Sequence, residues 1–350
     1  MEDIIIMGGG LAGSSLASAL ANRGCRALVL EAGTIGGGGA TAHSRGMVRL
    51  YDDEPRLAAF NREGIALWAE VDAARPGLFS RPGMVYALAP HNIEKARNFA
   101  QAHGAPEYPV EIIDGRAASG FCPVLNPDIT APDRFSLFEP GAGYIDPRAG
   151  ARFFADEATR LGATIIEGCL VEGITTGSGF VEVQTSAGRL TARRVVLASG
   201  ADTLRIVPVD GLFARSISLT SFLDDETAVP TLCIIDEISK GYIRPGAARS
   251  YYVGGATQSD AGAPDRLETD DRRADAENLA LSRRLLTTTG NAAIASHPGY
   301  DAYTRDYLPL IEAPREDTGI GLFTGFSGRG AKYIPAMARR YAAQLTAGTA

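Results

Sequence analysis

The sequence predicts an α/β fold in which a Rossmann-type domain is interleaved with a second domain built on an antiparallel β-sheet. Three observations carry this reading. The apolar run Ile4–Met7 breaks into a glycine-rich turn, a stretch of helical spacing and a second apolar run that ends at Glu31. Residues 216–256 alternate apolar and polar positions and are rich in β-formers. Near the far end of the chain a strand-like stretch, 320–324, is followed by a second glycine-rich turn, GFSGRG.

Taken in order, residues 3–7 read as a buried strand, and Gly8–Gly13 end it. Residues 12–23 follow as a helix, with Leu16 and Leu20 in line with Leu11 on one face. Asn22-Arg23-Gly24 stops that helix, and Ala27–Leu30 forms the next strand, which completes a β-α-β unit. Residues 33–46 are too rich in glycine for regular structure. A helix is expected over 55–74 with Trp68 in the core, and a mixed, turn-rich stretch over 84–138. Asp146-Pro147 signals the start of a helix over 148–161. Short strands follow at 164–167, 181–185 and 195–198; residues 264–289 are charged and then helical, and the last helix spans about 331–345. The chain thus leaves and re-enters its nucleotide-binding half. That half is placed at 1–80, 140–215 and 297–350, and the second domain at 81–139 and 216–296.

Charge and cysteine content narrow the partners. The formal net charge is −7, which argues against a general nucleic-acid or anionic-membrane binder. Cys25, Cys122, Cys169 and Cys233 lie far apart without a CxxC pair, so free thiols are expected and neither a zinc site nor a disulfide framework is. Ile4–Met7 is too short to span a membrane and has no basic flank. A cytoplasmic protein, monomeric or homodimeric, is the expectation.

Gly8, Gly10 and Gly13 form G-x-G-x-x-G between a strand and a helix. The first glycine permits the turn, the second admits a pyrophosphate and the third lets helix and strand pack closely. Leu11 and Ala12 open the helix, whose free N–H groups suit phosphate. Glu31, followed by Ala32, stands where a carboxylate accepts ribose hydroxyls, which disfavours a 2′-phosphate. The alternative is a tight turn without a ligand. NAD and FAD share this fingerprint.

The segments IIIMGGGLAGSSLASALANRGCRALVLE (4–31), GYIDPRAGARFFADEATRLGATI (143–165), VVLASGAD (195–202), YTRDYLPLI (303–311) and GLFTGFSGRGAKYIPAMA (321–338) are similar to one family. The chain resembles the FAD-dependent oxidoreductases that include D-amino-acid oxidase, glycine oxidase and monomeric sarcosine oxidase. It is closest to the sarcosine oxidase branch at the C-terminal motif. The resemblance implies an FAD-binding domain interleaved with a substrate-binding domain. It implies FAD contacts at Thr41, Ser44, Arg45 and Gly46, at Gly200, and at Gly325, Gly328, Arg329, Gly330, Ala331 and Lys332. Aromatic hydroxylases share the first fingerprint, but GFSGRG stands where they carry a GD-type motif.

The resemblance also implies a cation pair for a substrate carboxylate, at Arg49 and Lys332. The alternatives are a surface salt bridge of Arg49 with Asp52 or Asp53 and a solvated Lys332 in the first turn of the last helix, where it opposes the helix dipole. The amides after Gly330 would face the reduced flavin; capping by Ser327 is the alternative. Arg244 is a second carboxylate candidate and Tyr242 a hydroxyl partner, and either reads equally as a structural strand residue. Lys240 lies near a lysine that the sarcosine oxidase branch uses toward oxygen. Where that branch tethers FAD through cysteine this chain has Asp301, so non-covalent FAD is expected. His43 reads as a flavin contact or a plain loop residue. The implied activity is oxidation of the C–N bond of an amino acid with oxygen as acceptor. A dehydrogenase with another acceptor and a non-catalytic flavoprotein are the alternatives.

Overall fold

The structure is a computed structural model that describes residues 1–223, 229–287 and 292–347. The parts of the sequence readings that fall on 224–228, 288–291 and 348–350 lie outside the described residues.

The first strand, Glu2–Met7, is central in the first sheet, and its residues Ile4 to Met7 are all but inaccessible to solvent. A strand covered on both faces reads as a continuous apolar run, which is what IIIM is. Its parallel neighbours are Leu28–Leu30 on one side and the second half of Gly188–Leu197 on the other. Thr164–Ile166 continues the parallel array beyond Leu28–Leu30, and Ile320–Thr324 continues it beyond Gly188–Leu197. The early half of Gly188–Leu197 pairs antiparallel with Phe180–Thr185, which in turn pairs with Val171–Gly177.

Helix Leu11–Ala21 packs against helices Pro147–Arg160 and Ile334–Thr346. Its small residues let the three helices approach closely over a core that includes Leu16, Leu20, Trp68, Phe154 and Met337. Asp146 caps the helix Pro147–Arg160 by accepting the N–H groups of Arg148 and Ala149, so the expected start holds. The last helix differs from expectation. A short 3-10 turn, Gly330–Lys332, comes first, and the α-helix begins at Ile334 with Pro335 in its first turn. Proline fixes φ and has no N–H to give, so it favours a helix start rather than an interior. Residues 33–46 are largely irregular, but a short helix, Gly39–His43, lies within them.

The second sheet runs in the order Asp260–Ala261, Leu212–Leu223, Ser250–Gly254, Tyr242–Pro245, Cys233–Asp236, Met84–Ala87, Phe135–Glu139, Glu111–Asp114, and Ala292–Thr304 also pairs with Leu212–Leu223. It is not wholly antiparallel. Cys233–Asp236 runs parallel to Met84–Ala87, because the two come from separate passes of the chain and no hairpin joins them. Strands Leu212–Leu223 and Ala292–Thr304 also run across the expected boundaries at 215/216 and 296/297. A small third sheet joins Met47–Val48, Gly143–Ile145 and Phe79–Ser80.

Candidate active site

The carboxyl ends of the parallel strands and one face of the second sheet enclose a cavity of about 1370 Å³. That is more than the ~300–1,000 Å³ of a typical small-ligand pocket, and it suits a long cofactor with a substrate beside it. One end is the glycine turn. Gly8 has φ +101°, and a Cβ there would lie 2.8 Å from the Cα of Ser199. A Cβ on Gly13 would lie 1.9 Å from the Gly8 carbonyl oxygen, so only glycine lets the helix close on the strand. Gly10 caps the helix without a side-chain bond, and Thr41 Oγ1 accepts the Leu11 N–H at 2.9 Å. Glu31 accepts the N–H groups of Gly9 at 2.6 Å and Gly33 at 2.8 Å. Each carboxylate oxygen keeps a further lone pair for a sugar hydroxyl. These residues therefore fit the adenosine diphosphate part of a dinucleotide.

Most of the expected cofactor residues line this cavity. They are Gly8, Gly10, Leu11, Ala12, Glu31, Ala32, Thr41, Ser44, Arg45, Gly46, Gly200, Gly325, Gly328, Arg329, Gly330, Ala331 and Lys332. Gly13 lies behind it, in the helix–strand packing. Arg49, Lys240 and Tyr242 line the wall toward the second sheet. Lys240 is exposed, and its left-handed backbone, φ 62°, turns the strand pair. Arg244 does not line the cavity. Its guanidinium lies 3.7 Å from the Tyr144 ring and 5.4 Å from the Tyr252 ring.

Arg49 and Lys332 are brought together, but around a third residue. Asp52, whose side chain has no exposed surface, pairs with Lys332 and Arg329 and lies 3.5 Å from Arg49. Burial alone would raise the Asp52 carboxyl; the charges of Lys332, Arg49 and Arg329 outweigh it and hold it well below the carboxylate range. Lys332 falls to about 8, first through burial and then through Arg49, because its one carboxylate is shared with two guanidiniums. The alternative reading of Lys332, a solvated residue in the first turn of the last helix, does not hold. It is neither solvated nor on the α-helix: it is 2% exposed in the preceding 3-10 turn. For Arg49 the reading as an ion pair with Asp52 holds, but the pair is buried rather than superficial.

The 3-10 turn is held from behind by helix Ala58–Ala74. Trp68 Nε1 donates to the Ala331 carbonyl at 2.8 Å, and Gly64 lies so close that a Cβ would sit 1.8 Å from the Lys332 carbonyl oxygen. Ser327 does not cap this turn; its hydroxyl accepts the Thr304 N–H and donates to the Gly325 carbonyl. Asp301 accepts the Gly328 N–H at 3.0 Å, and burial raises its carboxyl to about 6. His43 also lines the cavity; burial, then Arg148 and Arg45, lower its pKa. Sequence reasoning missed Asp52 as a centre, and also Tyr86, Glu237, Arg215 and Tyr303 on the cavity wall. The RLYDD run showed Asp52 near Arg49, but not that two further cations arrive from about 280 residues away.

The fold and this cavity define a dinucleotide-binding class of protein in which a second sheet closes over the cavity that begins at the glycine turn. The chain belongs to the DAO family of FAD dependent oxidoreductases, whose match runs over residues 3–344. The N-methyl-L-tryptophan oxidase of Yersinia pestis (strain Pestoides F) is 26% identical over 223 residues, 61% of this chain and 58% of that protein. The match therefore spans well under two thirds of the relative's length. The fold is that of L-proline dehydrogenase from P. horikoshii (TM-score 0.87, 20% identity, 99% of this chain and 94% of that one). Glycine oxidase from Geobacillus kaustophilus is similar to the same degree (TM-score 0.83, 21% identity, 99% and 94%). Among the described residues no helix is long and apolar enough to cross a membrane, and no His, Cys, Asp or Glu group has the form of a metal site.

Proposed function

We propose that this chain binds FAD non-covalently and oxidises the C–N bond of an amino acid, or of an N-alkyl or cyclic amino acid, to the imine. Two electrons and two protons leave the CH–NH unit, and molecular oxygen takes them up as hydrogen peroxide. The observation that carries this reading is the continuity of one cavity, from the glycine turn to the cluster of Arg49, Arg329 and Lys332. The relative named N-methyl-L-tryptophan oxidase supports it.

FAD, when bound, supplies the hydride acceptor. The glycine turn and Glu31 would hold its adenosine end, and the Gly325–Lys332 segment its other end. The chain's own residues position the substrate. Three cations face two acids, Asp52 and Asp53, which leaves one positive charge in excess for a substrate carboxylate. Arg49 offers a planar fork and Lys332 a point charge. Fixing the carboxylate fixes the neighbouring carbon, which is positional catalysis. The substrate amine reacts in its neutral form, so no general base is assigned. The imine is then hydrolysed by water.

The test is anaerobic mixing of the FAD-loaded protein with D-, L-, N-methyl and cyclic amino acids. At least one should bleach the flavin, and air should restore the colour with about one peroxide per turnover, as a two-electron flavin carrier requires. Recolouring by a dye but not by air would replace oxygen with another acceptor. No bleaching by any amine would overturn the reading.

A further inference from the structure

We propose that the amino acid taken by this site carries a positively charged side chain, an ammonium or guanidinium, and that Glu237 is the residue that selects it. The proposal rests on the oxidase reading above and extends it to the substrate class.

The charged groups on the second-sheet side of the cavity can be paired off. Arg49, Arg329 and Lys332 share Asp52, and Arg329 also takes Asp53. Arg215 is held by Asp260 through two bonds, at 2.6 and 2.7 Å. Asp236 faces Arg134 at 3.6 Å and Arg284 at 4.0 Å. Glu237 is left. It lines the cavity, it is 7% exposed, and among the described residues it has no ion-pair partner. Its carboxylate accepts one hydrogen bond, from the Ala89 N–H at 2.7 Å. An ionised carboxylate offers about four lone-pair sites, and a buried one is costly unless it is paired. FAD carries no cationic group, so the cofactor does not provide the missing partner.

The surroundings of Glu237 suit a cation. The hydroxyl of Tyr51 is buried and has no hydrogen-bond partner. It lies behind Tyr86, whose ring meets the Tyr51 ring edge-on at 5.0 Å. Tyr86 itself lines the cavity; burial first, with Glu237 adding, pushes its phenol up to about 12. An arriving ammonium or guanidinium would meet the Glu237 carboxylate and the aromatic face of Tyr86, both on the cavity wall. The guanidinium of Arg49 lies 5.5 Å from the Tyr86 ring. The carboxylate subsite therefore adjoins Tyr86, and Glu237 lines the same cavity.

Two measurements on the FAD-loaded protein test this. The first is binding of 4-guanidinobutyrate against hexanoate, read from the flavin absorbance without turnover. Both carry a carboxylate and only the first a cation. Wild type should bind 4-guanidinobutyrate at least tenfold tighter, and Glu237→Gln should reduce that ratio to near one. Gln still accepts the Ala89 N–H, and an unchanged unfolding midpoint verifies the fold. Tyr86→Leu, which removes the ring and keeps the carboxylate, should lower the ratio in part. The second is kcat/KM for D- and L-arginine and lysine against norleucine, where the ratio should fall at least tenfold in Glu237→Gln, through KM. Equal binding of the two carboxylates by wild type overturns the subsite and leaves the oxidase reading standing. So does an equal loss of both in Glu237→Gln, which would make Glu237 a partner of Arg49. A preference for 4-guanidinobutyrate without bleaching by any amine upholds the subsite and overturns the oxidase.

Discussion

Gly64→Ala tests whether the turn carrying Lys332 is clamped from behind. In an open helix this change stabilises by up to ~1 kcal/mol, because alanine loses less backbone freedom than glycine. Gly64 is not in the open. Its added Cβ would sit 1.8 Å from the Lys332 carbonyl oxygen, 2.9 Å from that carbonyl carbon and 3.0 Å from the Tyr333 Cα, all of them backbone. Backbone cannot rotate away, so helix Ala58–Ala74 and the turn must separate, which also stretches the Trp68–Ala331 bond of 2.8 Å. Overpacking of this kind costs ~1–3 kcal/mol, so the propensity gain is outweighed and the net loss is roughly 1–2 kcal/mol. Urea unfolding of the FAD-loaded protein measures it. Gly120→Ala is the control: Gly120 lies in helix Gly115–Phe121 with nothing within 4 Å of its Cβ, so the change should stabilise by ~0.5–1 kcal/mol. If Gly64→Ala stabilises as much as Gly120→Ala, and a simple carboxylate binds as before, the clamp is wrong.

Five further outcomes follow from the site. Lys332→Met and Arg49→Ala should each weaken a simple carboxylate inhibitor by ~1.5–3 kcal/mol, the scale of hydrogen bonds to charged groups, with little change in FAD content. Because Lys332 titrates at about 8, wild-type inhibitor affinity should fall as pH rises through that value, and the step should be absent in Lys332→Met; a flat wild-type profile would refute the assignment. Asp52→Ala removes the partner shared by three cations, so urea unfolding should show a loss of ~3–5 kcal/mol, the range for breaking a buried pair. Asp301 has its carboxyl raised from 3.8 to about 6, so its contribution to stability is present below 3.8 and lost as pH rises through 6. Asp301→Asn should flatten that part of the stability curve, and acid precipitation of wild type should release yellow FAD into the supernatant.

The first β-α-β unit was legible because its signals are local. IIIM, the glycines and the Leu11–Leu16–Leu20 stripe each declare themselves within a few residues. Asp146-Pro147 placed a helix start for the same reason. The parallel pairing of Met84–Ala87 with Cys233–Asp236 had no such signal, since register between distant segments is set by packing and not by a turn. Arg49 and Lys332 were found through motif similarity, whereas Asp52 looked like a surface acid in a charged run. Its burial depends on Arg329 and Lys332 folding back onto it. Glu237 lay within the alternating stretch 216–256 with nothing to single it out, since its place on the cavity wall and its bond from the Ala89 N–H come from distant parts of the chain.

The indole behind the Lys332 turn gives the molecule an optical handle. Trp68 is the sole tryptophan of the chain, and it is wholly buried against Phe154 with its N–H tied to Ala331. Excitation at the red edge of indole absorption, where tyrosine contributes little, therefore addresses a single position, directly behind the cavity wall at Ala331. A flavin seated there would take up the indole's emission by energy transfer, so loading with FAD would darken this light and its departure would restore it. The same emission would follow the loosening of the turn during unfolding, without any label being attached.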